Sequence, residues 1–120
     1  MTNSNISFET VKKAVCELVD EIEKLYAKEL TVERVKDLPE IYIAYIYLEN
    51  CGAQVVVSKP EWAPYRYVYF DVISILDKTT QSVYTWCDCD KDDVDSIVKN
   101  LQKGVKYAIN YVPKSSDVPI

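Results

Sequence analysis

Residues 40–59 read EIYIAYIYLENCGAQVVVSK. Two short runs rich in β-branched and aromatic residues flank Asn50-Cys51-Gly52, a turn-forming triplet, so the segment predicts two strands, at about 40–49 and 52–59, joined as a hairpin. Further strands are expected at about 65–77 and 81–88, with Lys78-Thr79-Thr80 as the second hairpin turn. Between the two pairs, Lys59-Pro60-Glu61-Trp62-Ala63-Pro64 reads as a rigid, proline-bracketed loop carrying an aromatic ring.

The flanks have helical periodicity. From about Phe8 to Ala27 the residues Phe8, Val11, Val15, Leu18, Val19, Ile22 and Leu25 recur on one helix face, with Ser7 as N-cap and Glu9 in the first turn. Thr31 can cap a short helical turn carrying Val32, Val35 and Leu38, ended by Pro39. Asp90 is the expected N-cap of a closing helix whose stripe is Val94, Ile97, Val98, Leu101, Val105, Ala108 and Val112. Gly104 in that stripe signals close packing or a break, in which case Tyr107 to Val112 would be extended, and Pro113 ends the element.

The order helix, four strands, helix predicts one α+β domain over residues 1–120, with residues 1–6 and 114–120 as loose tails. Its core would be a four-stranded antiparallel meander with the N-terminal and C-terminal helices packed on one face. A 120-residue chain can bury roughly two thirds of its unfolded surface and needs no covalent staple.

Aromatic side chains recur at every second position in three of the strands: Tyr45 and Tyr47; Tyr65, Tyr67 and Tyr69; Tyr84 and Trp86. Alternate residues of a strand share a face, so these rings can pool into one surface. Asp71 shares the parity of the central tyrosines. These eight residues are the candidate binding site. The competing explanation is cross-strand aromatic packing, which stabilises sheets without any ligand. Both parities of the strands are apolar, whereas a face open to water should be polar, so a partner or a second copy of the chain is expected to cover one of them.

Composition prunes the chemistry. Nineteen acidic against 14 basic residues give a net charge of -5, which repels a phosphate backbone and argues against duplex nucleic acid. With no histidine, the usual general base at neutral pH, the usual partner of a nucleophilic Ser or Cys and the commonest metal ligand are missing. No segment reads as an export signal or membrane span, so the expectation is a cytoplasmic protein, in the host cytoplasm if the source is viral, with reduced thiols and no membrane partner.

Cys51, Cys87 and Cys89 with Asp90 could be imagined as a tetrahedral metal set, but they lack paired CxxC spacing, and no metal or cofactor is expected. The run Asp88, Asp90, Asp92, Asp93 and Asp95 lacks the Gly and Glu of a calcium loop; helix capping and solvation explain it, with mimicry of phosphates toward a basic partner as the functional alternative. An isolated Asp71 carboxylate on the Tyr face would be partly desolvated unless paired.

The pattern therefore predicts a non-enzymatic, acidic, homodimeric binding protein acting through protein contact. Its expected type is an inhibitor, immunity or anti-defence protein, or a viral or mobile-element accessory protein. The alternative is a small-molecule or nucleotide-binding, or nucleotide-processing, protein that uses the Tyr face and Asp71.

Overall fold

Ser7 begins the first helix by accepting the Thr10 backbone N–H at 3.1 Å, one of the donors that a helix start leaves without an intrahelical partner. The computed structural model describes residues 7–59, 67–74 and 81–112. Helix α1 spans Phe8–Leu25 and buries the expected stripe of Phe8, Val11, Val15, Leu18, Val19 and Ile22. Leu25 falls off the stripe at 67% exposure, and the helix closes at Tyr26, just short of the expected end.

The sheet has five strands, not four. They are β1 (Thr31–Leu38), β2 (Ile41–Tyr47), β3 (Cys51–Ser58), β4 (Val68–Ser74) and β5 (Gln81–Cys87), antiparallel to their neighbours in the spatial order β1-β2-β3-β4-β5. The additional strand is the segment expected to form a helical turn. Its i, i+3, i+6 apolar spacing was compatible with a helix, but the register breaks between Arg34 and Lys36, and this bulge takes up Val35 as an extra residue. Pro39 biases Leu38 toward extended backbone, and Pro39-Glu40 becomes the two-residue link that pairs Leu38 with Ile41. Bulging also turns Arg34 and Asp37 to the same side, where Arg34 reaches Asp20 (2.6 Å) and Glu23 (3.0 Å) and Asp37 accepts from Lys12 (2.9 Å), all on α1. Partly exposed ion pairs of this kind contribute at most about 1 kcal/mol each.

Helix α2 spans Val94–Ile109, and its N-cap is Asp93, not Asp90. The Asp93 carboxylate accepts the Ser96 N–H at 2.8 Å, while Asp92 accepts the Cys89 N–H at 2.9 Å and so holds a turn that delays the helix start. The helix continues through Gly104 and includes Tyr107, with Val112 beyond its end and 72% exposed. Gly104 marks close packing. A Cβ built there would lie 2.9 Å from Phe70 Cδ2, closer than side-chain contacts permit.

Both helices cover one face of the sheet, α1 over β1, β2 and β3, α2 over β3, β4 and β5. The aliphatic parity lies beneath them: Ala44 and Ile46, Val55 and Val57, Phe70 and Val72 are all buried. Tyr45, Tyr47 and Tyr69 have the opposite parity. The expected loop at 59–64, beyond Lys59, the Lys78-Thr79-Thr80 turn, Tyr65 and the two tails lie outside the described residues. No described helix is long and apolar enough to cross a membrane.

Candidate functional site

The sheet face away from the helices is built by register. One ladder runs Lys36, Ile43, Val56, Tyr69 and Cys87 across the five strands; the next runs Glu33, Tyr45, Gln54, Asp71 and Thr85; a third includes Tyr47, Gly52 and Ile73. Leu38, 50% exposed, and Ile41 extend the face at one end. No described helix or strand packs over it. Side chains such as Ile43, Tyr45, Val56, Tyr69 and Ile73 are half-buried.

Four of the eight residues expected at the site come together here: Tyr45, Tyr47, Tyr69 and Asp71. Tyr45 and Tyr47 form an edge-to-face pair with centroids 6.4 Å apart, a geometry favoured by the ring quadrupoles. The Tyr47 hydroxyl donates to Glu33 at 2.5 Å, which raises the pH at which it would ionise. Tyr69 stands two strands from Tyr45, with β3 and its Gln54 and Val56 between them.

Tyr84 and Trp86 do not join this face. They pair with Val72 and Phe70, whose parity is that of the helix side. The Tyr84 ring meets Phe70 edge-on at 6.0 Å and Tyr107 of α2 at 4.9 Å, so Tyr84 docks α2, and Trp86 is partly buried against the core. The Tyr67 ring turns toward α1 and meets Phe8 at 5.5 Å. Spacing within a strand shows which residues share a face; it does not show which face that is relative to the next strand. Here the β4–β5 register shifts between Val72 and Ile73.

Asp71 is 8% exposed and accepts hydrogen bonds from the hydroxyls of Ser82 and Thr85, the latter at 2.9 Å. Those two hydroxyls also contact each other at 2.9 Å. Nothing in the sequence marked Ser82 or Thr85, because their role depends on the β4–β5 register. With its carboxylate held by two neutral donors, Asp71 needs no ligand to account for its burial. Asp88, read in the sequence as one of a solvated acidic run, is 1% exposed and accepts the N–H groups of Tyr67 (2.8 Å) and Val68 (2.9 Å). It ties the end of β5 to the start of β4.

The thiols are dispersed. Cys51 pairs with Ser74 and Ser74 with Gln81, whereas Cys87 pairs with Tyr69, so Cys51 and Cys87 occupy opposite ends of the sheet, ~17 Å apart along the strand direction. All four cysteines are free thiols. Cys51 is buried, its Sγ 3.4 Å from the Ala108 carbonyl, and burial pushes its ionisation upward, as it does for Cys16. Among the described residues no three Cys, Asp or Glu side chains converge on a point that could hold a metal ion.

A cleft of about 500 Å3 lies on the other side of the molecule, where α1 meets α2, with Ile22, Leu25 and Val105 in its walls. Lys99, Lys103 and Lys106 rim it. Lys103 and Lys106 fall in the C-terminal half of α2, where cations complement the helix dipole. No protein-family model, no curated protein and no solved structure matches the chain.

Proposed function

We propose that this chain is a non-enzymatic binding protein that acts by surface contact with protein, through the open face of its sheet. The observation that carries this reading is the apolar and aromatic character of that face, which no described helix or strand covers. A sheet face designed to meet water alternates to polar residues, and extended exposed apolar patches mark interaction surfaces. Tyr45 and Tyr69 suit the role of anchors, because tyrosine buries a large area with few rotors and keeps a hydroxyl that water or a partner can satisfy.

Ligand chemistry has less support. The Asp71 carboxylate is engaged by Ser82 and Thr85, and β3 separates Tyr45 from Tyr69, so these groups do not form a continuous stacking floor for a base. The net charge of -5 opposes phosphate-rich ligands. Small acidic proteins that inhibit or neutralise another protein by occupying its surface, including immunity, anti-defence and viral accessory proteins, are the class this reading fits.

Photo-crosslinking tests it. A benzophenone amino acid replacing Tyr45 or Tyr69 is expected to give protein adducts in the native cytoplasm, and the same probe at Glu17, exposed on α1, is expected to give none. Adduct formation at Glu17 but not at the tyrosines would overturn the reading. A rise in melting temperature with nucleotides or divalent metals would favour the ligand alternative, since a ligand that binds only the native state stabilises it.

A further inference from the structure

The occupant of the open face follows from its charge, its area and its shape. On its central strands β2, β3 and β4 the face carries one ionisable carboxylate, Asp71, and that group is already bonded to two hydroxyls of the same chain. Among the described residues the other charges on this face are Glu33 and Lys36, of opposite sign, both on the edge strand β1. A centre in which Ile43, Tyr45, Val56, Tyr69 and Ile73 surround the uncharged Gln54 and the internally bonded Asp71, with a rim of balanced charge, is complementary to itself. That is the requirement for an isologous two-fold contact, in which the same patch serves both partners.

The helix layer holds charges of both signs, among them Lys99, Lys103 and Lys106 of α2. Exposed acids such as Glu9, Glu17, Asp20, Asp93 and Asp95 belong to the helix layer and its capping turn. Packing two copies sheet to sheet places both helix layers outermost, separated by two sheets and the ~10 Å gap between them, beyond the ~8 Å screening length at physiological salt.

Five strands about 4.8 Å apart and about 23 Å long present a footprint of roughly 550 Å2, so two copies would cover about 1,100 Å2, just above the ~1,000 Å2 expected of a specific interface. Gly52 adds shape. A Cβ built there would make only ordinary contact, with the Ile46 carbonyl oxygen at 3.7 Å, so the glycine leaves a shallow dip in the face between Tyr47 and Ile73.

We infer that two copies of this chain stack their open sheet faces into a four-layer α-β-β-α dimer, with Ile43, Tyr45, Val56, Tyr69 and Ile73 at its centre. The inference rests on the protein-contact reading of this face and names the protein. Stacked sheets of this kind align within about 30°, their side chains interdigitating.

Sedimentation of the purified chain, with Ile43→Lys and Val56→Lys beside it, tests the inference. The wild type is expected at twice 13.8 kDa, and each lysine variant is expected to dissociate at least ~100-fold more readily, because an uncompensated charge would be buried at the contact. Circular dichroism reports whether the variants remain folded. Cys87, on the same ladder as Val56 and Tyr69, supplies a readout in the unmutated face: in a Cys16→Ser, Cys89→Ser background its reaction with a thiol reagent should accelerate on dilution as dimers separate. This measurement decides the matter should the lysine variants fail to fold.

A wild-type monomer with concentration-independent Cys87 reactivity would overturn self-association. Crosslinking from Tyr45 to a different protein in the cytoplasm would then leave the protein-contact reading standing. A dimer that survives both lysine substitutions, with Cys87 equally reactive at all concentrations, would place the contact elsewhere and overturn the inference outright.

Discussion

Gly104 of α2 rests directly on the ring of Phe70 in β4, with no room for a Cβ between them. Replacing glycine inside a helix by alanine ordinarily adds about 1 kcal/mol of stability. Here the added methyl must displace a fully buried ring or lift the helix, and overpacking of this kind costs about 1–3 kcal/mol. Gly104→Ala is therefore expected to lower the urea midpoint. Adding Phe70→Leu to Gly104→Ala should cost less than the sum of the two single changes, and strict additivity would show that the contact carries no coupling.

Tyr42 tests the polar side of the core. It is 1% exposed beneath α1, and among the described residues its hydroxyl has no hydrogen-bond partner. Tyr42→Phe should be neutral or stabilising by up to about 1 kcal/mol, because it removes a buried polar atom while keeping the ring. Burial pushes the Tyr42 ionisation from 10.0 up to about 12. The folded state thus holds its proton where the unfolded state gives it up. The resulting stability is complete below pH 10 and is lost as the pH rises from 10 to 12. Thermal melts across that range should fall more steeply for the wild type than for Tyr42→Phe.

Asp88 should behave as a structural group despite lying in an acidic run. Asp88→Asn keeps an oxygen for the Tyr67 and Val68 N–H groups but loses the charge, and about 1–2 kcal/mol is expected to go with it. Asp88→Ala leaves those donors without this acceptor and should cost more, at about 1–3 kcal/mol for each unsatisfied group. Asp95→Asn, exposed on the first turn of α2, should cost well under 1 kcal/mol. Equal losses for Asp88→Asn and Asp95→Asn in chemical denaturation would contradict the assignment.

For the thiols, the sheet register predicts that mild oxidation forms no Cys51–Cys87 disulfide within a chain, and that a chelator leaves the melting temperature unchanged. One zinc per chain, lost together with stability, would refute this. Peptide mapping after oxidation supplies the complementary check.

Much of the scaffold was legible because its signals are local. The α1 stripe from Phe8 to Ile22, the Ser7 cap, and the alternation in Ile41–Tyr47 and Cys51–Ser58 each depend on residues a few positions apart, which is the range over which helix and strand periodicity act. Thr31–Leu38 was not legible in this way. Its apolar spacing is ambiguous between helix and strand, and the bulge at Val35 that resolves it exists only once β2 is alongside. The start of α2 was similarly undetermined by composition: Asp90, Asp92 and Asp93 are all competent caps, and the turn closed by Asp92 selects Asp93.

The candidate site divides along the same line. That Tyr45 shares a face with Tyr47, and Tyr69 with Asp71, follows from a period of two and was determined by the sequence alone, as were the charge of -5 and the absence of histidine. Which of those faces look outward was decided only by tertiary structure: cross-strand register turned Tyr84 and Trp86 to the helix side and brought Ser82 and Thr85 to Asp71, while the Tyr67 ring, just before β4, packs on Phe8 of α1. The physical reason is that strand parity is relative. Each strand carries its own alternation, and only pairing with its neighbours, shifted by one residue at each bulge, assigns that alternation to the core or to the open side.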